Sequence, residues 1–203
     1  MTSKIKRCII LTGGIIMNLQ TIFTYVFFVI FISTEMWIKN KTKSNNVNDC
    51  ADKGSRYIII GSVVCCLLLM NEQLLPSIAQ LPPFLIYVGI LISLAGFVLR
   101  IYAVNYLGKN FTLAVQTTDS QQLVDHGPYS IVRNPAYTGS ILSILGLSIT
   151  SLNPFTIIIC LILLVVGYSI RLKVEEKALG NHFGKNYEAY CQKVRYRVFP
   201  YIW

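Results

Sequence analysis

Five apolar runs, at about residues 9–33, 57–75, 83–104, 137–151 and 154–170, dominate this chain of 203 residues. A helix needs roughly 20 mainly apolar residues to cross a bilayer, and a backbone in lipid must satisfy its polar groups internally, as a helix does. The expected fold is all-α: a multi-pass membrane helix bundle of about five transmembrane helices, followed by an amphipathic tail. The last two runs are short and are separated by Ser151, Leu152, Asn153 and Pro154, a turn signal, so they read as a helical hairpin in the C-terminal half. With 54% hydrophobic and only 13% charged residues, the composition lies outside the range of a soluble domain of this length.

The formal net charge of +9 sits in the gaps between the apolar runs, not along one stripe or among interleaved aromatics. That distribution suits membrane orientation and argues against a nucleic-acid partner. Five spans place the termini on opposite sides. With a cytoplasmic C-terminus, fifteen of the eighteen basic residues face the cytoplasm, from the loop at Lys39–Arg56 through Arg100, Lys109 and Arg133 to the tail from Arg171 to Arg197. Only Lys4, Lys6 and Arg7 fall outside. The expected location is an integral membrane one, endoplasmic reticulum in a eukaryote or cytoplasmic membrane in a prokaryote. The first run is longer than a signal-peptide core and lacks a small-residue cleavage site, so it reads as a retained span. The sequons at Asn40 and Asn110 would lie on the wrong side for glycosylation and read as chance.

The six cysteines, Cys8, Cys50, Cys65, Cys66, Cys160 and Cys191, show no CxxC pair or zinc-like spacing, and read as inert thiols. His126 and His182 have no partner at metal-ligand spacing, so no metal is expected. No GxGxxG motif opens a helix, which excludes a soluble Rossmann-type cofactor domain. The chain is expected to divide into three spans in residues 1–105 and a second half, residues 106–203, with a long loop, the hairpin and the amphipathic tail. In the first part, Glu72 and Arg100 are the charged residues near span ends.

Between Tyr106 and Tyr137 lies a stretch too long for an idle loop in a compact protein. It carries Gln116, Thr117, Thr118, Asp119, Gln121 and Gln122, then Leu123 to Gly139 with Gly127-Pro128 and Pro135 setting turns. Composition alone leaves two readings: a functional loop, or a surface loop anchored at the interface by Tyr129 and Tyr137. Arg171 and Glu175 stand four apart and share a helical face. They are either an ordinary surface ion pair or, beside the membrane, ionisable groups lining a cavity. Beyond them Leu179, Phe183, Tyr187, Cys191 and Val194 recur at helical spacing, with a break expected at Gly184 and an end at Pro200. This tail could lie on the headgroups or close over a site.

GPYSIVRNPAYTG, from Gly127 to Gly139, then a hairpin, then RLKVEEKALGNHFGKNYEAY, from Arg171 to Tyr190, resembles the paired signature of the isoprenylcysteine carboxyl methyltransferases. In that family a G-x-Y, an R-H-P-x-Y, a helix-borne R-x-x-x-E and an F-G-x-x-Y form an S-adenosylmethionine site. The resemblance covers residues 100–203 and implies a membrane methyltransferase acting on the carboxylate of a lipidated cysteine. It implies that Gln116, Gln121, Gln122, Leu123, Val124, Tyr129, Asn134, Pro135, Ala136, Tyr137 and Glu175 hold the cofactor, and that Arg171 faces the acceptor, the last two being the catalytic pair.

One departure is Asn134, where the family has His. An amide hydrogen-bonds but does not titrate. A carboxylate acceptor is already ionised at neutral pH and needs no base. A phospholipid amine, the acceptor in related phospholipid methyltransferases, would need one, for which Asp119, Asp125 or His126 are candidates. A non-catalytic membrane scaffold is the third reading, and it would be indifferent to loss of Glu175.

Overall fold

The computed structural model describes residues 21–38, 54–70, 81–108 and 123–202, among which helices dominate and no strand occurs. The chain forms two compact units, Met1–Trp37 and Ile38–Trp203. The described part of the first belongs to α1 (Thr21–Ile38), where Phe23, Phe27 and Phe31 line one helical face with ring centroids 5.7 and 6.4 Å apart. The second unit holds α2 (Ser55–Leu69), α3 (Leu85–Leu107), a 3-10 turn (Gly127–Ser130), α4 (Pro135–Ile149), α5 (Pro154–Phe183) and α6 (Lys185–Lys193).

Helices α1, α3 and α5 are long and apolar enough to cross a membrane, while α2 and α4 are shorter apolar helices. The expected multi-pass helical membrane protein is what the chain forms. The second arm of the hairpin is longer than its apolar run, because α5 continues to Phe183 without a break. Arg171 is the eighteenth residue of that helix. It therefore stands about 26 Å from the helix start, near the edge of a hydrocarbon core about 30 Å thick.

Helices α3 and α4 are antiparallel and touch through their backbones. The buried residues Ile86, Gly89, Ser93, Gly96, Arg100 and Ala103 of α3 recur alternately three and four apart, the stripe of a coiled-coil-like seam. Gly139, Ser143 and Gly146 of α4 meet it. A β-carbon on Gly96 would lie 2.5 Å from the Ser143 nitrogen and 2.7 Å from the Gly139 oxygen. One on Gly139 would lie 2.5 Å from the Arg100 nitrogen. Lipid is as apolar as any side chain, so membrane helices associate by such small-residue contacts and not by hydrophobic exclusion. The Ser143 hydroxyl returns a 2.8 Å hydrogen bond to Gly139 of its own helix, which keeps it satisfied inside the contact.

Helix α2 lies antiparallel to α5. Ser55 meets Arg171 at one end, the buried thiols of Cys66 and Cys160 each donate to the other's backbone carbonyl at 3.9 and 3.8 Å, and Thr156 donates to Leu69 at 3.4 Å. Cys65, Cys66, Cys160 and Cys191 are all free thiols, while Cys8 and Cys50 lie outside the described residues.

The hairpin turn falls where the sequence signals it. Leu152 takes a left-handed conformation (φ 53°), and Asn153 caps α5 by accepting from the Phe155 N–H at 3.0 Å, with Pro154 at the first helical position.

Gly184 ends α5 with φ 51° and ψ −125°, a conformation that a β-carbon would strain, and α6 turns back from it. Tyr187, Tyr190 and Val194 bury themselves against Leu123, Leu179, Phe183 and Cys191. The amphipathic tail is thus packed on the protein. Past α6, residues 194–199 form a strap across the start of α4. The Arg133 N–H donates to Tyr196 at 2.9 Å, the Asn134 N–H to Arg197 at 2.9 Å, and the Thr138 hydroxyl to Val198 at 2.6 Å.

Thr138→Val keeps the shape of that side chain but strands the buried Val198 carbonyl. We expect a loss of about 1–3 kcal/mol, read as a drop of roughly 2–4 °C per kcal/mol in thermal unfolding of the detergent-solubilised protein.

Candidate active site

Three of the residues singled out from sequence converge where α2, α4 and α5 meet. Tyr137, in the first turn of α4, donates its hydroxyl to Glu175 Oε2 at 2.5 Å and accepts from Arg171 Nε at 3.1 Å. Arg171 Nε lies 3.8 Å from Glu175 Oε2, so the phenol bridges an ion pair that is long on its own. Arg before Glu is the weaker order for an i,i+4 pair, and the inserted tyrosine supplies what the helix alone does not. The guanidinium also reaches Ser55 Oγ, which accepts from Nη1 at 2.7 Å.

The Arg171 side chain is 3% exposed and that of Glu175 26%. This rules out an ordinary surface pair, whose members would both be solvated. Behind it the Tyr168 ring meets the Tyr137 ring edge-on at 5.2 Å, so the hydroxyl of Tyr137 is aimed by packing. A partly open carboxylate held by a tyrosine hydroxyl suits a small cation. A guanidinium held in a fixed plane suits a carboxylate.

The remaining described candidates lie in the segment that leads into and opens α4. Tyr129, buried in the 3-10 turn, donates to the Ala103 carbonyl at 3.2 Å, and its own carbonyl accepts from the Tyr190 hydroxyl at 2.8 Å. Burial first, and the Glu175 carboxylate second, push its phenol above the usual range. Pro135 opens α4, and the Ala136 carbonyl accepts from Arg100 Nη1 at 3.2 Å. Leu123 packs under α6, and Val124 is half-buried. Gln116, Gln121 and Gln122, like Asp119, lie outside the described residues.

The Asn134 side-chain amide donates to the Arg197 carbonyl at 3.2 Å, doubling the bond made by its own N–H. The residue that replaces the family histidine thus anchors the strap. Asp125 and His126 are likewise engaged elsewhere. Asp125 pairs with Lys193 at 3.0 Å, which holds its carboxyl below the usual range, and with His126 at 3.5 Å, whose ring in turn meets that of Tyr106.

Several participants escaped the sequence reading. Glu176 sits between Arg133 Nη2 at 3.3 Å and Arg197 Nη2 at 3.1 Å, tying loop, helix and strap together. Burial opposes the Arg133 charge, but Glu176 and Cys191 outweigh it and hold the guanidinium above its usual range. Arg100, buried in α3, donates to Ser140 Oγ at 2.5 Å as well as to Ala136, fixing the first turn of α4. A charge that close to a span end was a visible signal. Ser55 and Tyr168 gave none.

A family model described as phospholipid methyltransferase matches residues 84–186, just over half of the chain and the stretch from α3 to the start of α6. The chain belongs to the phospholipid methyltransferase family. Within it, the likeness runs to the isoprenylcysteine carboxyl methyltransferases. A probable protein-S-isoprenylcysteine O-methyltransferase of Oryza sativa subsp. indica is 33% identical over 121 residues, covering 59% of this chain and 63% of that protein. The protein-S-isoprenylcysteine O-methyltransferase of Saccharomyces cerevisiae is 33% identical over 116 residues, 56% of this chain and 48% of the yeast protein. These matches span less than two thirds of either relative. Among solved structures, the eukaryotic intramembrane Ras methyltransferase, an isoprenylcysteine carboxyl methyltransferase, superposes with a TM-score of 0.58 at 26% identity, covering 96% of this chain and 67% of that one.

Proposed function

We propose that this protein is a membrane methyltransferase that transfers a methyl group from S-adenosylmethionine to the carboxylate of a lipid-like acceptor, the C-terminal S-isoprenylcysteine of a lipidated protein. The observation that carries this reading is the bridged triad of Arg171, Tyr137 and Glu175, which sets a carboxylate and a guanidinium side by side near the edge of the bilayer. The donor set fits the cofactor: a partly exposed carboxylate held by the Tyr137 hydroxyl accommodates a sulfonium or ammonium cation. When bound, S-adenosylmethionine supplies a methyl group on a positively charged sulfur.

In this reading Glu175, oriented by Tyr137, holds the cofactor's positive end, and the loop residues Leu123, Val124, Tyr129, Asn134, Pro135 and Ala136, with Gln116, Gln121 and Gln122, complete the pocket. Arg171 grips the acceptor carboxylate and aligns one oxygen with the methyl group. No proton has to move, because the acceptor is ionised at neutral pH. The amine acceptor of a phospholipid would need a base, and Asp125 and His126 make their described contacts with each other, Lys193 and Tyr106. Asp119 lies outside the described residues. The basic residues on this side, including Lys173, Lys177, Lys193 and Arg195, favour a cytoplasmic active site and C-terminus. The tail formed by α6 and the strap closes over the pocket and helps exclude water.

Calorimetry on the solubilised protein tests the reading. Wild type should bind S-adenosylmethionine, and Glu175→Ala should bind it about 10- to 100-fold more weakly, as loss of a charged hydrogen bond implies. Prenylcysteine acids, screened against phospholipid amines, should then be the methylated class. Absence of cofactor binding by folded wild-type protein would leave only a membrane scaffold.

A further inference from the structure

We infer that Ser55 is a positioning residue for this transfer, holding the guanidinium of Arg171 in the plane that receives the acceptor carboxylate; this rests on the function proposed above. Ser55 and Arg171 are both 2% exposed, and the Ser55 hydroxyl accepts from Nη1 at 2.7 Å. Tyr137 accepts from Nε at 3.1 Å. A guanidinium held at one nitrogen can still swing about that contact. Held at two nitrogens, it has its plane and rotation defined, which matters because carboxylate recognition by arginine depends on a planar fork.

The placement of Ser55 follows from the chain. Gly54 adopts a left-handed conformation (φ 74°, ψ 7°) and turns the backbone into α2, so that Ser55 is its first helical residue. Because α2 runs antiparallel to α5, with Cys66 against Cys160 and Ser62 against Gly167, the start of α2 arrives beside Arg171. Ser55 lies outside the stretch matched by the family model, residues 84–186. The N-terminal part of the chain thereby contributes directly to the proposed site. Helix α4 holds Arg171 through Tyr137, and α2 holds it through Ser55.

The test compares full-length wild type, Ser55→Ala and Ser55→Thr in detergent, measuring S-adenosylmethionine affinity by calorimetry and steady-state methylation of a prenylcysteine acid. Ser55→Ala should leave cofactor affinity unchanged, because Glu175 keeps its bond from Tyr137, while turnover falls roughly 10- to 100-fold as the fork loses alignment. Ser55→Thr, which keeps a hydroxyl, should restore most of it. Should Ser55→Ala fail to fold, Ser55→Cys, similar in volume but a much weaker acceptor, is expected to show the same loss of turnover with intact cofactor binding. Turnover of Ser55→Ala equal to that of an active wild type overturns this inference alone. So does a parallel loss of cofactor affinity that threonine does not rescue, which marks a merely structural role. A wild type that binds cofactor but methylates no acceptor carboxylate overturns both this inference and the proposed function.

Discussion

Gly139→Ala should destabilise the protein by about 1–3 kcal/mol, and Gly139→Leu should abolish the folded state. In an exposed helix the same glycine-to-alanine change favours the helix by about 1 kcal/mol, so the predicted sign is opposite to that of helix propensity. The cause is the backbone contact between α3 and α4. The new β-carbon would lie 2.5 Å from the Arg100 nitrogen and 2.6 Å from the Gly96 oxygen, and neither atom is the end of a flexible side chain that could swing aside. The two helices must separate, and the separation also pulls Arg100 from Ala136 and Ser140 at the start of α4. Gly61 on α2 provides the control, since a β-carbon there meets nothing within 4 Å. Gly61→Ala should be neutral or slightly stabilising. Thermal unfolding in detergent of the two variants decides the matter, and equal behaviour would show that the α3–α4 backbones are not in contact.

Arg171→Lys should lower turnover by roughly 10²–10³-fold, the range found on removing one preorganised donor, while cofactor binding survives. The substitution keeps a positive charge beside Glu175, so it does not leave that carboxylate without a counter-charge. What it removes is the fork. A single ammonium cannot reproduce the bonds to Ser55 at 2.7 Å and Tyr137 at 3.1 Å and still present two parallel donors to a carboxylate. Kinetics with a prenylcysteine acid, alongside calorimetry with S-adenosylmethionine, separate these effects. Near-normal turnover in Arg171→Lys would show that the acceptor carboxylate is held by some other group.

Much of this was legible in the residue order, and for local reasons. The turn at Ser151–Pro154 and the break at Gly184 are set by residues acting on their own backbone, so each falls where the sequence signals it. Arg171 and Glu175 share a face because of helical spacing alone, and Tyr137 was legible as part of the motif Arg133–Tyr137. That the phenol stands between them was not, since it requires α4 and α5 to pack in one particular register. The apolar pattern Leu179, Phe183, Tyr187, Cys191 and Val194 read as amphipathic whether it faced headgroups or protein. The packing of Tyr187 and Tyr190 against Leu123 decides for protein.

Sequence by itself determined the solvent and the architecture: a chain with apolar runs this long and so few charges has to satisfy its backbone in helices within a bilayer. It also identified the family signature, because those motifs are contiguous. Only the tertiary structure decided that Ser55, 116 residues before Arg171, holds its guanidinium, that Glu176 clasps Arg133 and Arg197, and that Asn134 anchors the strap. Each of these depends on which helix faces meet. Facing is set by small-residue contacts such as Gly96 against Gly139, whose energy comes from backbone approach and not from an apolar stripe set off against a polar face.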